Sequence, residues 1–148
     1  GEGSYPTIEP FDYVETVTIA AVPGKPFLTY TQRTTHPDTG TPMHTEVGYL
    51  RFPPPPPSSA GENARPAELV IAQPTGVTEA HVGTLSTDGR HVVIDLETVT
   101  VGLTPSAKEV TSVHRRLVVD GDVLTYELWM AAVGQPDTLH LRAELVRQ

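Results

Sequence analysis

Six histidines are the side chains of this chain best suited to bind a metal or a metal-containing cofactor. They are His36, His44, His81, His91, His114 and His140. The sequence contains no HExxH or HxH motif. His36 and His44 flank a turn segment and could approach each other across a hairpin, but a zinc site needs a third protein ligand and the spacing identifies none. The pattern therefore does not favour a zinc site.

His140 stands apart because it lies near the start of the last apolar run. Strict alternation divides this run into two faces, with Leu139, Leu141, Ala143 and Leu145 on one and His140, Arg142 and Glu144 on the other. On that pattern His140 suits the surface as well as the interior. An interior His140 needs a β-bulge near Pro136 or an apolar outer face on this strand.

Other catalytic chemistries have little support in the sequence. The absence of cysteine excludes disulfides, thiolate metal sites and a cysteine nucleophile. No GxSxG elbow, Walker loop or strand-linked GxGxxG motif occurs, and no pair of carboxylates can be assigned as acid and base from spacing. The net charge of -8 argues against nucleic acid and anionic membranes as partners.

The elements that must position these side chains are strands, because the dominant hydrophobic period is two. Nine runs follow this pattern: 11–20, 27–34, 43–52, 68–73, 77–85, 91–101, 110–119, 123–132 and 139–146. Asp88-Gly89 and Asp120-Gly121 supply hairpin turns, and no gap is long enough for a crossover helix. We therefore predict an all-β antiparallel up-and-down meander.

A meander of nine or ten strands removes its two edges by closing into a barrel. A barrel of this size is wide enough for a ligand cavity, whereas a sandwich with a filled core is the alternative. The Pro53–Pro57 run predicts an extended hairpin loop, with a ligand for a proline-binding module as the less favoured interpretation. Since no charged, apolar leader follows Gly1, we expect a cytoplasmic protein.

Six blocks of sequence are distinctive together and in this order. They are YPTIEPFDY (5–13), GKPFL (24–28), PMHTEVGYLR (42–51), AQPTGVTE (72–79), AKEVT (107–111) and GQP with LHL (134–141). The chain resembles the nitrobindin family of small heme-binding β-barrels nearly from end to end. The resemblance implies one domain over residues 1–148, a ten-stranded antiparallel up-and-down β-barrel of the lipocalin type. Gly1 and Gly3 resemble the last two glycines of the family's GxWxGxG opening, so the first strand is expected to be incomplete here.

The resemblance also implies one heme b per chain, held at one mouth of the barrel. His140 matches the proximal iron ligand, and Thr7 matches a threonine that lies at the heme in relatives. Lys108 matches a lysine of the AKE block, which could pair with a heme propionate. Gln73 occupies a position where some relatives carry a histidine, and its amide could donate a hydrogen bond to a ligand on iron.

The activity implied by the resemblance is that of a ferric heme protein which binds nitric oxide and isomerises peroxynitrite to nitrate. The expected partners are these small molecules, and the expected assembly is a monomer or a weak homodimer. Two alternatives stay open. One is a non-catalytic heme or nitric oxide carrier or sensor with the same site, and the other is a heme-free barrel, like the fatty-acid-binding proteins, for a small apolar ligand.

Overall fold

The computed structural model of the protein describes residues 1–54 and 64–148. Within these ranges no helix is long and apolar enough to span a membrane. The eleven strands are β1 (Glu2–Tyr5), β2 (Ile8–Asp12), β3 (Val14–Ala21), β4 (Phe27–Thr35), β5 (Pro42–Arg51), β6 (Ala64–Ala72), β7 (Val77–Asp88), β8 (His91–Leu103), β9 (Val110–Asp120), β10 (Val123–Ala132) and β11 (Thr138–Val146). The proline run predicted to form a loop extends into residues 55–63, which lie outside the described residues.

All eleven strands belong to one antiparallel sheet with the order β2-β1-β11-β10-β9-β8-β7-β6-β5-β4-β3. From β3 to β11 each strand pairs with its neighbours in the chain, and β1 then pairs with β11. The two outermost strands of this order, β2 and β3, are consecutive in the sequence, so the sheet is nearly closed into a barrel. The predicted all-β, up-and-down architecture is confirmed.

The described residues form eleven strands, whereas ten were expected, because the segment from Ile8 to Ala21 is divided at Tyr13. Its first part pairs with β1, placing Asp12 opposite Glu2. Its second part pairs with β4, placing Val14 opposite Thr35. The segment changes partners at Tyr13, and an alternating pattern within one strand contains no information about such a change.

Two glycines inside strands allow the sheet to curve. A Cβ atom on Gly48 would overlap the backbone carbonyl of Val70, and one on Gly83 would overlap the carbonyl of Asp95. No side chain can be accommodated at either position unless the neighbouring strand moves. Glycine inside a strand is typical of a tight bend in a barrel wall.

The barrel interior is filled at one end and hollow at the other. The filled end is built from the buried side chains of Tyr30, Leu50, Ala67, Leu69, Ile71, Ile94 and Leu96. The hollow end lies where β5, β7, β9 and β11 begin, on the side of the β1–β2 turn. This half-filled interior agrees with the predicted barrel rather than with a sandwich whose core is completely packed.

Candidate functional site

The hollow end of the barrel contains a cavity of about 270 Å³. Its apolar lining comes from Phe11, Met43, Val110, Val113, Leu128, Met130 and Leu141. Its polar lining comes from Tyr13, Gln32, Thr34, His44, Glu46, Gln73, Glu79, Arg115 and His140. Polar residues are the more numerous, but most of the cavity surface is apolar, and an apolar concave surface with convergent polar groups is the usual form of a cofactor site. A larger hollow of about 610 Å³ lies outside this cavity, beside Gly1, and does not include these histidines.

His140 lines the cavity because β11 carries a bulge at this residue. Leu128 of β10 faces Leu141, and the next residue, Trp129, faces Leu139. His140 is therefore the extra residue between two paired positions, and it is released from the alternation of the strand. The sequence suggested a bulge near Pro136 as one route to an interior His140, and the structure places the bulge at His140 itself.

The imidazole of His140 is held in one orientation by its neighbours. Its Nδ1 lies 3.0 Å from the carbonyl oxygen of Ser4, and because a carbonyl only accepts, Nδ1 carries the hydrogen. The ring makes T-shaped contacts with the rings of Tyr5 and Phe11, with centroid distances of 5.3 Å and 6.3 Å. This tautomer leaves the lone pair of Nε2 free to bind a metal.

Burial lowers the pKa of His140 below its ordinary value of 6.5, and the nearby His44 acts in the same direction. The hydrogen bond to the Ser4 carbonyl opposes this shift without cancelling it. The imidazole is therefore neutral at neutral pH, which is the form that coordinates iron.

Of the other residues named from the resemblance, the structure brings only Gln73 to the cavity lining with His140. Thr7 is exposed in the turn between β1 and β2, and Lys108 is exposed in the connection between β8 and β9. Both lie at the hollow end of the barrel but outside the cavity lining. Their positions belong to the rim of the site.

Gln73 is fixed on both sides of its amide. Its Nε2 donates a hydrogen bond of 2.7 Å to Glu79, and its Oε1 accepts one of 3.1 Å from the hydroxyl of Thr75. Glu79 determines which end of the amide is nitrogen, since a carboxylate only accepts, and the hydroxyl of Thr75 is then free to donate to the oxygen. One N–H of Nε2 remains for a ligand in the cavity.

His44 is a cavity residue that the sequence reasoning did not assign. It lies on β5 opposite Thr34 and is two residues from Glu46, so all three side chains share the inner face of the barrel. The sequence signal for this position was the alternation of β5. Residues two apart on a strand share a face, so His44 lies on the same side of the sheet as Glu46. No site of three or more His, Cys, Asp or Glu side chains suited to a metal ion forms in the described part of the chain.

Three charged side chains form part of the cavity wall and extend into the barrel. The guanidinium of Arg115 donates to both oxygens of Glu46, at 2.7 and 3.0 Å, and to Glu79 at 2.9 Å. Tyr30 donates a further hydrogen bond of 2.9 Å to Glu46, and Nε2 of His81 lies 2.8 Å from Glu79. We refer to Glu46, Glu79 and Arg115 as the charged cluster.

The charged cluster is ionised at neutral pH. Burial is the largest influence and acts to raise the pKa of Glu46, but the charge of Arg115 and the hydrogen bonds from His44, Arg115 and Tyr30 together lower that pKa to about 2. Against the same effect of burial, the charge of Arg115 also lowers the pKa of Glu79. Burial lowers the pKa of His81, so its ring is neutral and Nε2 donates to Glu79. Two carboxylates thus face one guanidinium, and the cluster carries a net negative charge.

Arg115 and its sequence neighbour Arg116 lie on opposite faces of the sheet. Arg115 is only 6% exposed, whereas Arg116 points outward to Asp95. Adjacent residues of a strand face opposite sides of the sheet, so one arginine of the pair must face inward. The interior accepts it because two carboxylates from other strands meet it there.

Comparisons with known proteins identify the family of the chain. The sequence model of the THAP4-like, heme-binding beta-barrel domain matches residues 1–147. The chain belongs to this family. The heme-binding β-barrel relationship expected from the sequence is therefore confirmed.

Proteins named peroxynitrite isomerase 1 are among the relatives of the chain. The one from Mycolicibacterium paratuberculosis is 49% identical over 148 residues, which are 100% of this chain and 86% of the relative. The one from Mycobacterium tuberculosis is 49% identical over 153 aligned residues, with the same coverage. The crystal structure of Rv2717c from M. tuberculosis superimposes with a TM-score of 0.87 at 48% identity, covering 99% of this chain and 87% of that one.

The residues of the cavity fit a heme. His140 supplies a neutral imidazole with a free Nε2, and heme iron in proteins is commonly held by such a ligand. Apolar side chains such as Val113, Leu128 and Met130 line the cavity and would contact an apolar ring system bound there. The donor set thus matches the cofactor named by the family.

Proposed function

We propose that the protein binds one heme b through His140 and, with ferric iron, binds nitric oxide and isomerises peroxynitrite to nitrate. The observation that carries the proposal is the bulge that turns His140 into the cavity, with Nδ1 anchored on Ser4 and Nε2 free. The relatives named peroxynitrite isomerase support the activity. When bound, heme supplies the iron at which nitric oxide binds and at which peroxynitrite rearranges.

The protein contributes binding, orientation and confinement. Ser4 holds the imidazole of His140 in the tautomer that coordinates iron, and Tyr5 and Phe11 restrict the rotation of its ring. The apolar walls exclude water from the reacting molecule and keep fragments of it together. Isomerisation of peroxynitrite to nitrate has no net proton transfer, so the proposal requires no side chain to act as an acid or base.

Gln73 is the residue that we assign to the reacting ligand. Its remaining N–H can donate to an oxygen of peroxynitrite, while Thr75 and Glu79 prevent the amide from turning. His44 lines the same cavity and offers a second polar group to the ligand.

Lys108 and Thr7 are assigned to the rim. Lys108 is the exposed cation that would pair with a heme propionate, and such charge-assisted hydrogen bonds orient a carboxylate. Thr7 lies in the turn next to Tyr5, which contacts the ring of His140, and its hydroxyl would meet the exposed edge of the heme.

The test compares the parent protein with His140→Ala after reconstitution with hemin. The exposed His91, replaced by alanine, is the matched control. We expect a Soret band of a histidine-ligated heme in the parent and in the control, its loss or displacement in His140→Ala, and its partial recovery when imidazole is added. An identical spectrum in all three proteins contradicts the assignment of His140.

The activity is tested by stopped-flow decay of peroxynitrite with quantification of nitrate. We expect decay per mole of heme to be much faster for the parent than for His140→Ala. Reversible release of nitric oxide with negligible nitrate formation would instead identify a carrier or sensor. A parent protein that shows no Soret band but binds an apolar dye would identify a heme-free barrel.

A further inference from the structure

We propose that the charged cluster tunes the iron of the bound heme, favouring the ferric over the ferrous state. This inference rests on the proposed heme function. It extends that function by assigning a role to Glu46, Glu79 and Arg115, none of which coordinates iron in the proposal.

The charged cluster carries a net negative charge. Both oxygens of Glu46 and one oxygen of Glu79 are bound by a single guanidinium, at 2.7 to 3.0 Å. The fourth oxygen accepts from the amide of Gln73, which is neutral. One positive charge therefore faces two negative charges, and one unit of negative charge remains uncompensated within the cluster.

The other titratable groups that face the cluster do not reverse this sign. His81 is neutral and donates to Glu79. Tyr30 is neutral because burial raises the pKa of its phenol far above its ordinary value. Glu15 is acidic and can add only negative charge. Nε2 of His44 lies 4.0 Å from Glu46, and one positive charge there would offset the remaining negative charge without reversing its sign.

This negative charge lies at the cavity that contains His140. Glu46, Glu79 and Arg115 line the same cavity as His140. The side chains of Glu46 and Glu79 are 2% and 3% exposed, so water screens them poorly. A buried charge at a cofactor site acts through a low local dielectric and has a larger effect than a surface charge.

A negative charge in the cavity would affect the two oxidation states of a bound heme iron differently. Ferric heme carries one unit of positive charge more than ferrous heme, so a nearby negative charge stabilises the ferric form preferentially. Local charge and dielectric are recognised determinants of heme potentials. Across a cavity of this size, with an effective dielectric constant of about 20, one unit charge changes the ferric to ferrous ratio on the order of tenfold.

The experiment measures the ferric to ferrous ratio of hemin-reconstituted protein at a series of applied potentials, from the visible spectrum. Glu79→Gln removes one negative charge and keeps the shape of the side chain. At the potential where the parent is half reduced, we expect this variant to be about tenfold richer in ferrous heme. Glu144→Gln makes the same charge change on the exposed face of β11 and is expected to match the parent.

Arg115→Gln separates a charge effect from a structural effect. It removes a positive charge from the same cluster, so the ferric to ferrous ratio is expected to change in the opposite direction. A change of the same sign in Glu79→Gln and Arg115→Gln, or a ratio equal to that of the parent in Glu79→Gln, overturns the proposal.

Glu46→Gln provides a second carboxylate variant if Glu79→Gln fails to bind heme, and its expected change has the same sign. Failure of both carboxylate variants to bind heme would identify the two groups as structural and would also overturn the proposal. A parent protein without a Soret band refutes the proposed heme function, whereas a normal Soret band with equal ratios refutes only this inference.

Discussion

At the scale of the residue, the interior of the barrel is organised around the guanidinium of Arg115. Its Nη atoms bind Glu46 and Glu79, whereas its Nε has no hydrogen-bond partner among the described residues. Burying such a cluster costs desolvation energy, which is offset only while every charge keeps its partner. The stability of the protein should therefore be sensitive to the loss of a single carboxylate.

We predict that Glu46→Gln lowers the free energy of unfolding by about 3–5 kcal/mol, because Arg115 loses its bidentate partner inside the barrel. Urea denaturation of the heme-free protein measures the effect. Glu68→Gln removes the partner of Arg51 in a solvent-accessible pair and should cost less than about 1 kcal/mol. An equal loss of unfolding free energy in the two variants would contradict the prediction, because it would show that burial does not make the Arg115–Glu46 pair more important for stability than an exposed pair.

The pH dependence of stability should carry a contribution from His81. Burial lowers its pKa in the folded protein below the ordinary 6.5, so the unfolded chain takes up the proton first as the pH falls. The free energy of unfolding therefore decreases as the pH falls below about 6.5 towards the folded-state pKa.

Replacing His81 with glutamine should make this decrease shallower, and chemical denaturation between pH 7.5 and 5 measures the slope. The exposed His91, replaced by glutamine, is the control and should keep the slope of the parent. Parallel slopes for the parent and the His81 variant would show that His81 makes no such contribution.

At the scale of the element, irregularities of the strands position the site. The bulge at His140 turns an imidazole inward, and the division at Tyr13 lets one segment pair with both β1 and β4. Glycines inside the strands permit the sheet to curve. The stability cost of replacing a glycine depends on the atoms that the added Cβ would meet, and these differ from one glycine to the next.

We predict that Gly83→Ala destabilises the protein by about 1–3 kcal/mol, because its Cβ would overlap the backbone of Asp95 and β8 would have to move. Thermal or urea unfolding measures the loss. Gly102→Ala is the matched control, since its Cβ would meet only the hydroxyl of Thr78, which can rotate away. A cost for Gly102→Ala equal to that for Gly83→Ala would refute the explanation by close backbone approach.

At the scale of the whole molecule, the barrel combines a packed end with an open end. The packed end carries the apolar core, and the open end carries polar groups that would be costly to bury without partners. A cofactor that fills the open end completes the interior, so binding and folding stability are linked.

We predict that hemin raises the midpoint of thermal unfolding. At a free concentration one hundred times the dissociation constant, the stabilisation is about 2.7 kcal/mol. For a chain of this length the midpoint should then rise by roughly 5–10 °C. Scanning calorimetry of the parent and of His140→Ala checks this, and the variant should show a smaller rise.

Iron-free protoporphyrin IX separates the two sources of this stabilisation. It fills the cavity without forming a bond to His140, so its effect on the parent should be smaller than that of hemin. Equal effects of hemin and the iron-free ring would show that burial of the ring, rather than the bond between iron and imidazole, stabilises the fold.

The sequence alone was sufficient for the class of the fold, because local patterns encode it. Alternation of apolar residues marked nine runs, and turns such as Asp88-Gly89 and Asp120-Gly121 paired them in order. Glycine φ values of 61° at Gly89 and Gly121 confirm the conformation that such turns require. The blocks shared with heme-binding barrels pointed to the family.

The tertiary structure alone decided which polar side chains meet in the cavity. Arg115 lies 69 residues from Glu46 and 36 from Glu79, so nothing local in the sequence brings them together. A period of two says that neighbours face opposite sides, but it does not say which side is inside or where a bulge reverses the order. The register between neighbouring strands determines both the inward side and the position of a bulge, and this register depends on the whole sheet.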